Sequence, residues 1–203
     1  MDMNRSQQTT GRELRKPAAM SPTADLERWE IDPGRSKLTF TLRHLVVSEI
    51  KGSFTRWGGT LYLDRHQPRL SSIQVWIDVS TIDTGQPERD DHIRSSEFLD
   101  ANQLPHAEFQ SSAIEEKDGR AVVRGRLRLH GVTHDLDVEV EPYVVPTAGG
   151  KNLYRLRAKL DRQSFGLHWN QDLDVGGVVV SDEIAVTAEL VLVRQNGDAK
   201  ARS

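Results

Sequence analysis

The side chains best suited to chemistry in this sequence are its seven histidines and the acids and arginines near them. His130 and His134 stand in an H-x3-H spacing, which on a helix would point two imidazoles at one metal ion. Gly131 and the alternating stretches on either side place the pair around a hairpin turn instead, and the spacing assures no third ligand. Asp172 and Asp174 precede Gly176-Gly177 without the further oxygen donors of an EF-hand loop, so the glycine pair reads as a turn entering the last strand. Serine, histidine and aspartate are plentiful, yet no G-x-S-x-G elbow presents a nucleophile. The chain has no cysteine, which removes disulfides, thiolate metal sites and thiol catalysis together. Two polar groups remain: His44, at the end of an inward-facing row, and Arg94, which with Ser95 follows His92. The fork of Arg94 suits an anionic or quinone oxygen, or equally Asp90 or Asp91 one turn earlier, which would fix the segment in place.

The segment carrying Arg94 runs from Thr81 to Ser112, and its composition turns helix-like at Pro87 and strand-like again after Pro105. Glu88, Asp90 and Asp91 make an acidic first turn, which suits the positive end of a helix, and Ile93, Phe98 and Leu99 give one apolar side. It reads as a lid across the ends of two strands. Around it the chain alternates with period two, as in strands with one face in a core and one in water. Leu38, Phe40, Leu42 and His44 share a face, as do Ile73, Val75, Ile77 and Val79. Val123, Gly125, Leu127 and Leu129 back onto Arg124, Arg126 and Arg128. Leu136, Val138 and Val140 follow, then Tyr154, Leu156, Ala158 and Leu160, and last Ile184, Val186, Ala188, Leu190 and Leu192. Asp118-Gly119 marks a hairpin, and Gly58-Gly59 a break or bend.

Roughly eight to ten strands at this spacing predict an all-β fold, and outer faces studded with charge favour a closed antiparallel barrel, which leaves no edges, over a sandwich. A single domain accounts for the 203 residues, with barrel over 29–194 and polar tails at 1–28 and 195–203. A net charge of -3 gives no electrostatic reason to expect nucleic acid. No apolar run approaches the ~18 residues of a membrane span. Residues 1–28 lack the roughly 7–15-residue apolar centre of a secretory signal, so the expected compartment is cytoplasmic. Small residues on the presumed inner face, namely Gly52, Ala113, Gly125, Ala158 and Ala188, leave two readings open: a cavity for one small ligand, or the taper of a packed barrel.

The runs IDPGRSKLTFTLRHLVVSEIKGSF, TIDTG with RDDHIRSSEF, LRLHGVTHDLDVEV, and DRQSFGL with VSDEIAV resemble the YceI-like family of lipocalin-like proteins, in family order over residues 29–193. His134-Asp135 after HGVT, and Asp161 where an asparagine is common, depart from the family pattern. The resemblance implies an extended eight-stranded antiparallel lipocalin-like barrel with a short helix crossing between strands. It also implies an internal tunnel for a long amphiphile, a polyisoprenoid, an isoprenoid quinone or a fatty-acid derivative, with no catalytic residue and no required cofactor; a homodimer is compatible with it. The expected tunnel lining is Phe40, Leu42, His44, Phe54, Ile73, Val75, Ile77, Phe109, Leu127, Leu129, Val138, Leu156, Ile184 and Val186, beneath a lid of Ile93, Arg94, Phe98 and Leu99. The alternative is an enzyme acting on a lipophilic substrate in the same cavity, with His44 or Arg94 as its polar participant.

Overall fold

Among the described residues eleven strands form one sheet, and eight staves close it into a barrel. The computed structural model describes residues 26–44, 48–141, 147, 152–168 and 180–195. β1 (Glu27–Ile31) and β2 (Lys37–His44) are two halves of one stave, as are β3 (Ser48–Phe54) with β4 (Trp57–Leu63), and β5 (Ser72–Asp78) with β6 (Ile82–Asp83). β7 (His106–Lys117), β8 (Arg120–Leu129), β9 (Val132–Glu141), β10 (Leu153–Asp161) and β11 (Val180–Arg194) supply the other five. Each stave pairs antiparallel with the next in sequence, and β11 returns to pair with β2 along most of its length and with β1 at its end. The topology is therefore an up-and-down meander whose pairings join neighbours in the chain.

Local chemistry sets the corners. Asp118 and Gly119 both take positive φ, as do His130 and Gly131, so the β7–β8 and β8–β9 connections are the tight turns whose twist matches the flanking strands. The bend between β3 and β4 falls at Thr55-Arg56, not at the glycine pair. Gly58 and Gly59 lie inside β4, where a Cβ on Gly59 would come within 2.5 Å of the Gln74 carbonyl oxygen and 2.9 Å of Ile31. Those glycines permit close approach of β5 and β1; they do not turn the chain. Among the described residues the first strand starts at Glu27, and β1 continues its inward row through that glutamate.

The helix α1 (Pro87–Arg94) lies in the connection between β6 and β7. It stops earlier than the composition suggests because Ser95 caps it, its N–H and its hydroxyl both donating to the His92 carbonyl. The chain then folds back, with the N–H groups of Leu99 and Ala101 donating to the carbonyls of Ile93 and Arg94. The core has an upper cluster around Phe40, Leu99 and Phe165, a lower one around Ile31, Val123 and Leu190, with Phe54, Ile77, Phe109 and Val186 shared between these two, and a third of Trp29, Leu61 and Leu63. Among the described residues no helix is long and apolar enough to cross a membrane.

Candidate ligand cavity

The inward rows of the staves enclose a void of about 230 Å³ whose accessible wall is apolar throughout. From β2 come Leu38, Phe40 and Leu42; from β3, Phe54; from β5, Ile73, Val75 and Ile77. Phe109 of β7, Leu127 and Leu129 of β8, Val138 of β9 and Leu156 of β10 continue the wall, and Ile184 and Val186 of β11 close it. These rows meet because antiparallel register sets inward residues opposite one another, as in Val75 against Phe109 and Phe109 against Leu127. His44 ends β2 with its backbone paired to Val180 and Ser48, and its side chain lies outside the described residues.

The small residues separate into three kinds. A Cβ on Gly52 would lie 2.4 Å from the Phe40 ring, and one on Gly125 would lie 2.5 Å from that of Phe109. These two glycines contribute no empty space, because an aromatic ring from the next strand covers each. Ala158 and Ala188 do face the void. Ala113 points outward, contrary to the strict alternation, because a bulge between Ser111 and Ala113 shifts the register and pairs Ala113 with Arg124. Ser111 and Ile114 are the buried neighbours on either side.

At one end of the void stand Ile93, Phe98 and Leu99. α1 is held there by a carboxylate that sequence spacing assigned differently. Asp90, 6% exposed, accepts from the N–H and hydroxyl of Thr84, while Arg89 donates to the Thr84 hydroxyl at 2.7 Å and carbonyl at 2.8 Å. Arg94 reaches Asp91 at 2.8 Å and the Ile82 carbonyl at 3.1 Å, so its fork ties α1 to β6. Arg94 is not on the cavity wall. Arg162, which the sequence reading did not single out, is fully buried. It donates to the carbonyls of Leu167, Val180 and Ser181 and to Asp182 at 3.1 Å, joining the turn after β10 to the start of β11. An arginine beside Asp161, which caps that turn, is a weak sequence signal on its own.

The opposite end carries a buried tryptophan above a cluster of ions. The inward row of β1 runs from Ile31 on the cavity wall to Trp29, 1% exposed, and then to Glu27. Trp29 packs with Leu61 and Leu63, and its indole N–H donates to Glu27 at 3.0 Å. Arg65 donates twice to the same carboxylate at 2.7 Å, and Arg194 lies 3.1 Å from it. The Arg65 hydrogen bond outweighs burial and, with Trp29 and the charges of Arg65 and Arg194, holds Glu27 below the usual carboxylate range. Between this floor and the main void is a second space of about 80 Å³, walled by Leu61, Leu63, Ile114, Val140, Tyr154 and Leu192 among others.

The paired histidines serve packing. His130 and His134 sit on the β8–β9 hairpin and contact the carbonyls of Phe165 and Ser164 at 3.1 and 2.9 Å, with His134 edge-on to the Phe165 ring. Among the described residues no three His, Asp or Glu side chains gather as a metal site. Asp172, Asp174 and Gly176-Gly177 lie outside the described residues.

Residues 29–192 match the family model described as the YceI-like domain. A UPF0312 protein of Vibrio parahaemolyticus is 36% identical over 107 residues, 52% of this chain and 57% of that relative. The chain thus spans little more than half the length of that relative. A UPF0312 protein of Vibrio cholerae is 32% identical over 136 residues, 65% of this chain and 72% of the relative. The crystal structure of BcnA from Burkholderia cenocepacia superposes with a TM-score of 0.67 at 22% identity, over 80% of this chain and 99% of that one. A polyisoprenoid binding domain from Saccharophagus degradans does so with a TM-score of 0.58 at 15% identity, over 82% and 98%. At these identities the structural likeness is one of fold: a closed, eight-stranded, lipocalin-like barrel.

Proposed function

The chain belongs to the YceI-like domain family, and from that membership we propose that it carries a long-chain amphiphile, a polyisoprenoid, isoprenoid quinone or fatty-acid derivative, with the chain inside the barrel. The observation that carries this reading is the void itself. At roughly 24 cal/mol per Å³, leaving 230 Å³ empty forgoes about 5–6 kcal/mol, comparable with the whole net stability of many domains. A packed barrel acting only through its surface has no reason to forgo that much.

The wall also selects the occupant. With no polar atom on its accessible surface the void does not favour water, since a buried water needs two to four polar partners. A guest is therefore held by its hydrocarbon, and its polar head stays outside. Cavities of about 150 Å³ already admit benzene, while drug-sized ligands occupy about 300–1,000 Å³, so this space suits a slender chain better than a broad ring system. The fold shared with a polyisoprenoid binding domain supports the same class. Turnover inside the cavity is less well supported, because the accessible wall formed by the described residues is apolar. In this reading Ile93, Phe98 and Leu99 cap the chain, and Arg94 holds the cap in place.

The test is native mass spectrometry of gently purified protein followed by organic extraction. Co-purifying prenyl or acyl lipid, or stoichiometric uptake of added isoprenoid quinone, is expected. Protein that stays empty with every such lipid would end the proposal.

A further inference from the structure

We propose that the tunnel has two chambers and one blind end, and that a collar of Ile31, Ile73, Val123, Leu156 and Leu190 between the chambers sets the length of chain it accepts. This rests on the carrier reading and adds a specificity determinant to it. The five residues come from β1, β5, β8, β10 and β11, spread around the circumference, and they alone line both the 230 Å³ and the 80 Å³ spaces. Past the smaller chamber Leu61, Leu63 and the buried Trp29, whose N–H is bonded to the ion-held Glu27, form the end-stop of this proposal. A chain therefore enters from the α1 end, tail first, and its terminal carbons meet the collar.

The collar members differ in freedom. Ile31, Ile73 and Val123 are β-branched and stiff at χ1. Leu156 is unbranched at Cβ, pairs with Ala188 on the neighbouring β11, and has Ala158 as the next inward residue on its own strand. The missing bulk of both alanines leaves room for Leu156 to swing aside. That motion joins the chambers and lengthens the bound chain by what the smaller one holds.

The probes are n-alkyl alcohols of stepwise increasing length, with affinity read by titration, and one long alcohol bearing a diazirine on its terminal carbon. With wild-type protein, affinity should rise about fourfold per buried methylene and then level off where the tail meets the collar, because further methylenes must displace Leu156. Leu156→Ala should weaken short alcohols and move the levelling point to longer ones. In the wild type, light should attach the terminal diazirine to peptides containing Leu61 and Leu63, Ile114 or Leu192. Labelling of Ile93, Phe98 and Leu99 instead, or a levelling point that Leu156→Ala does not move, overturns the collar while leaving the carrier intact. Failure of wild-type protein to bind any alcohol removes the carrier reading and the collar with it.

Discussion

Replacing Ala158 by leucine puts three more carbons into the main void, and this single change tests the physical basis of the proposed function. Ala158 faces the cavity from β10 opposite Val186, both inward and clear of the ion-paired outer face. Three buried carbons are worth about 2.4 kcal/mol at ~0.8 kcal/mol each, and fixing a leucine rotamer returns about 0.5–1. The unliganded protein should therefore gain about 1.5 kcal/mol, a rise in Tm of roughly 3–6 °C for a domain of this size. The same carbons occupy space a guest would use. Losing about three methylenes of contact should weaken binding of a chain that fills the cavity about 60-fold. Differential scanning calorimetry of delipidated protein and a lipid titration read the two effects on one sample. A falling Tm with unchanged affinity would refute the reasoning, because overpacking costs about 1–3 kcal/mol where no void exists to be filled.

Other perturbations probe the parts around the void. Gly52→Ala would push a methyl into the Phe40 ring and should cost about 1–3 kcal/mol in urea denaturation, with Phe40→Leu in the same chain restoring part of it. Glu27→Gln removes the anion that Arg65, Arg194 and Trp29 share and should cost about 1–3 kcal/mol at neutral pH. Because the Glu27 pKa is lowered on folding, that contribution is complete above the ordinary value of 4.5 and is lost as pH falls through the folded value. The difference between variant and wild type should therefore shrink on acidification, and a gap constant with pH would dissociate stability from this charge. Arg162→Lys should lose roughly 3 kcal/mol or more, since one ammonium cannot replace a fork spread over three carbonyls and Asp182; near-native stability by chemical denaturation would argue against that clamp. Phe98→Ala should speed lipid uptake in stopped-flow measurements if the α1 segment gates the cavity; unchanged rates with lowered stability would make it a plug.

Much of the barrel was legible because period-two alternation needs only local sequence. Once Phe40, Ile77, Leu127 and Val186 are assigned inward, every second neighbour follows, and Asp118-Gly119 and His130-Gly131 declare their turns through the positive φ they tolerate. The reading failed where an irregularity broke the count. The bulge beside Ser111 turned Ala113 outward, Ser95 ended α1 at Arg94, and the Gly58-Gly59 pair allowed close packing where a bend was expected.

The sequence by itself thus determined the alternating rows and the closed antiparallel barrel, because each depends on residues two apart or on a turn of two. Only the tertiary structure decided whether the small residues left space. Gly52 and Gly125 are filled by Phe40 and Phe109 from adjoining strands, whereas Ala158 and Ala188 line the void. The ion cluster below Trp29 was likewise invisible, since Glu27, Arg65 and Arg194 are brought together by pairing of β1 with β4 and β11. Volume and closure are sums over residues distant in the chain, and no local pattern carries them.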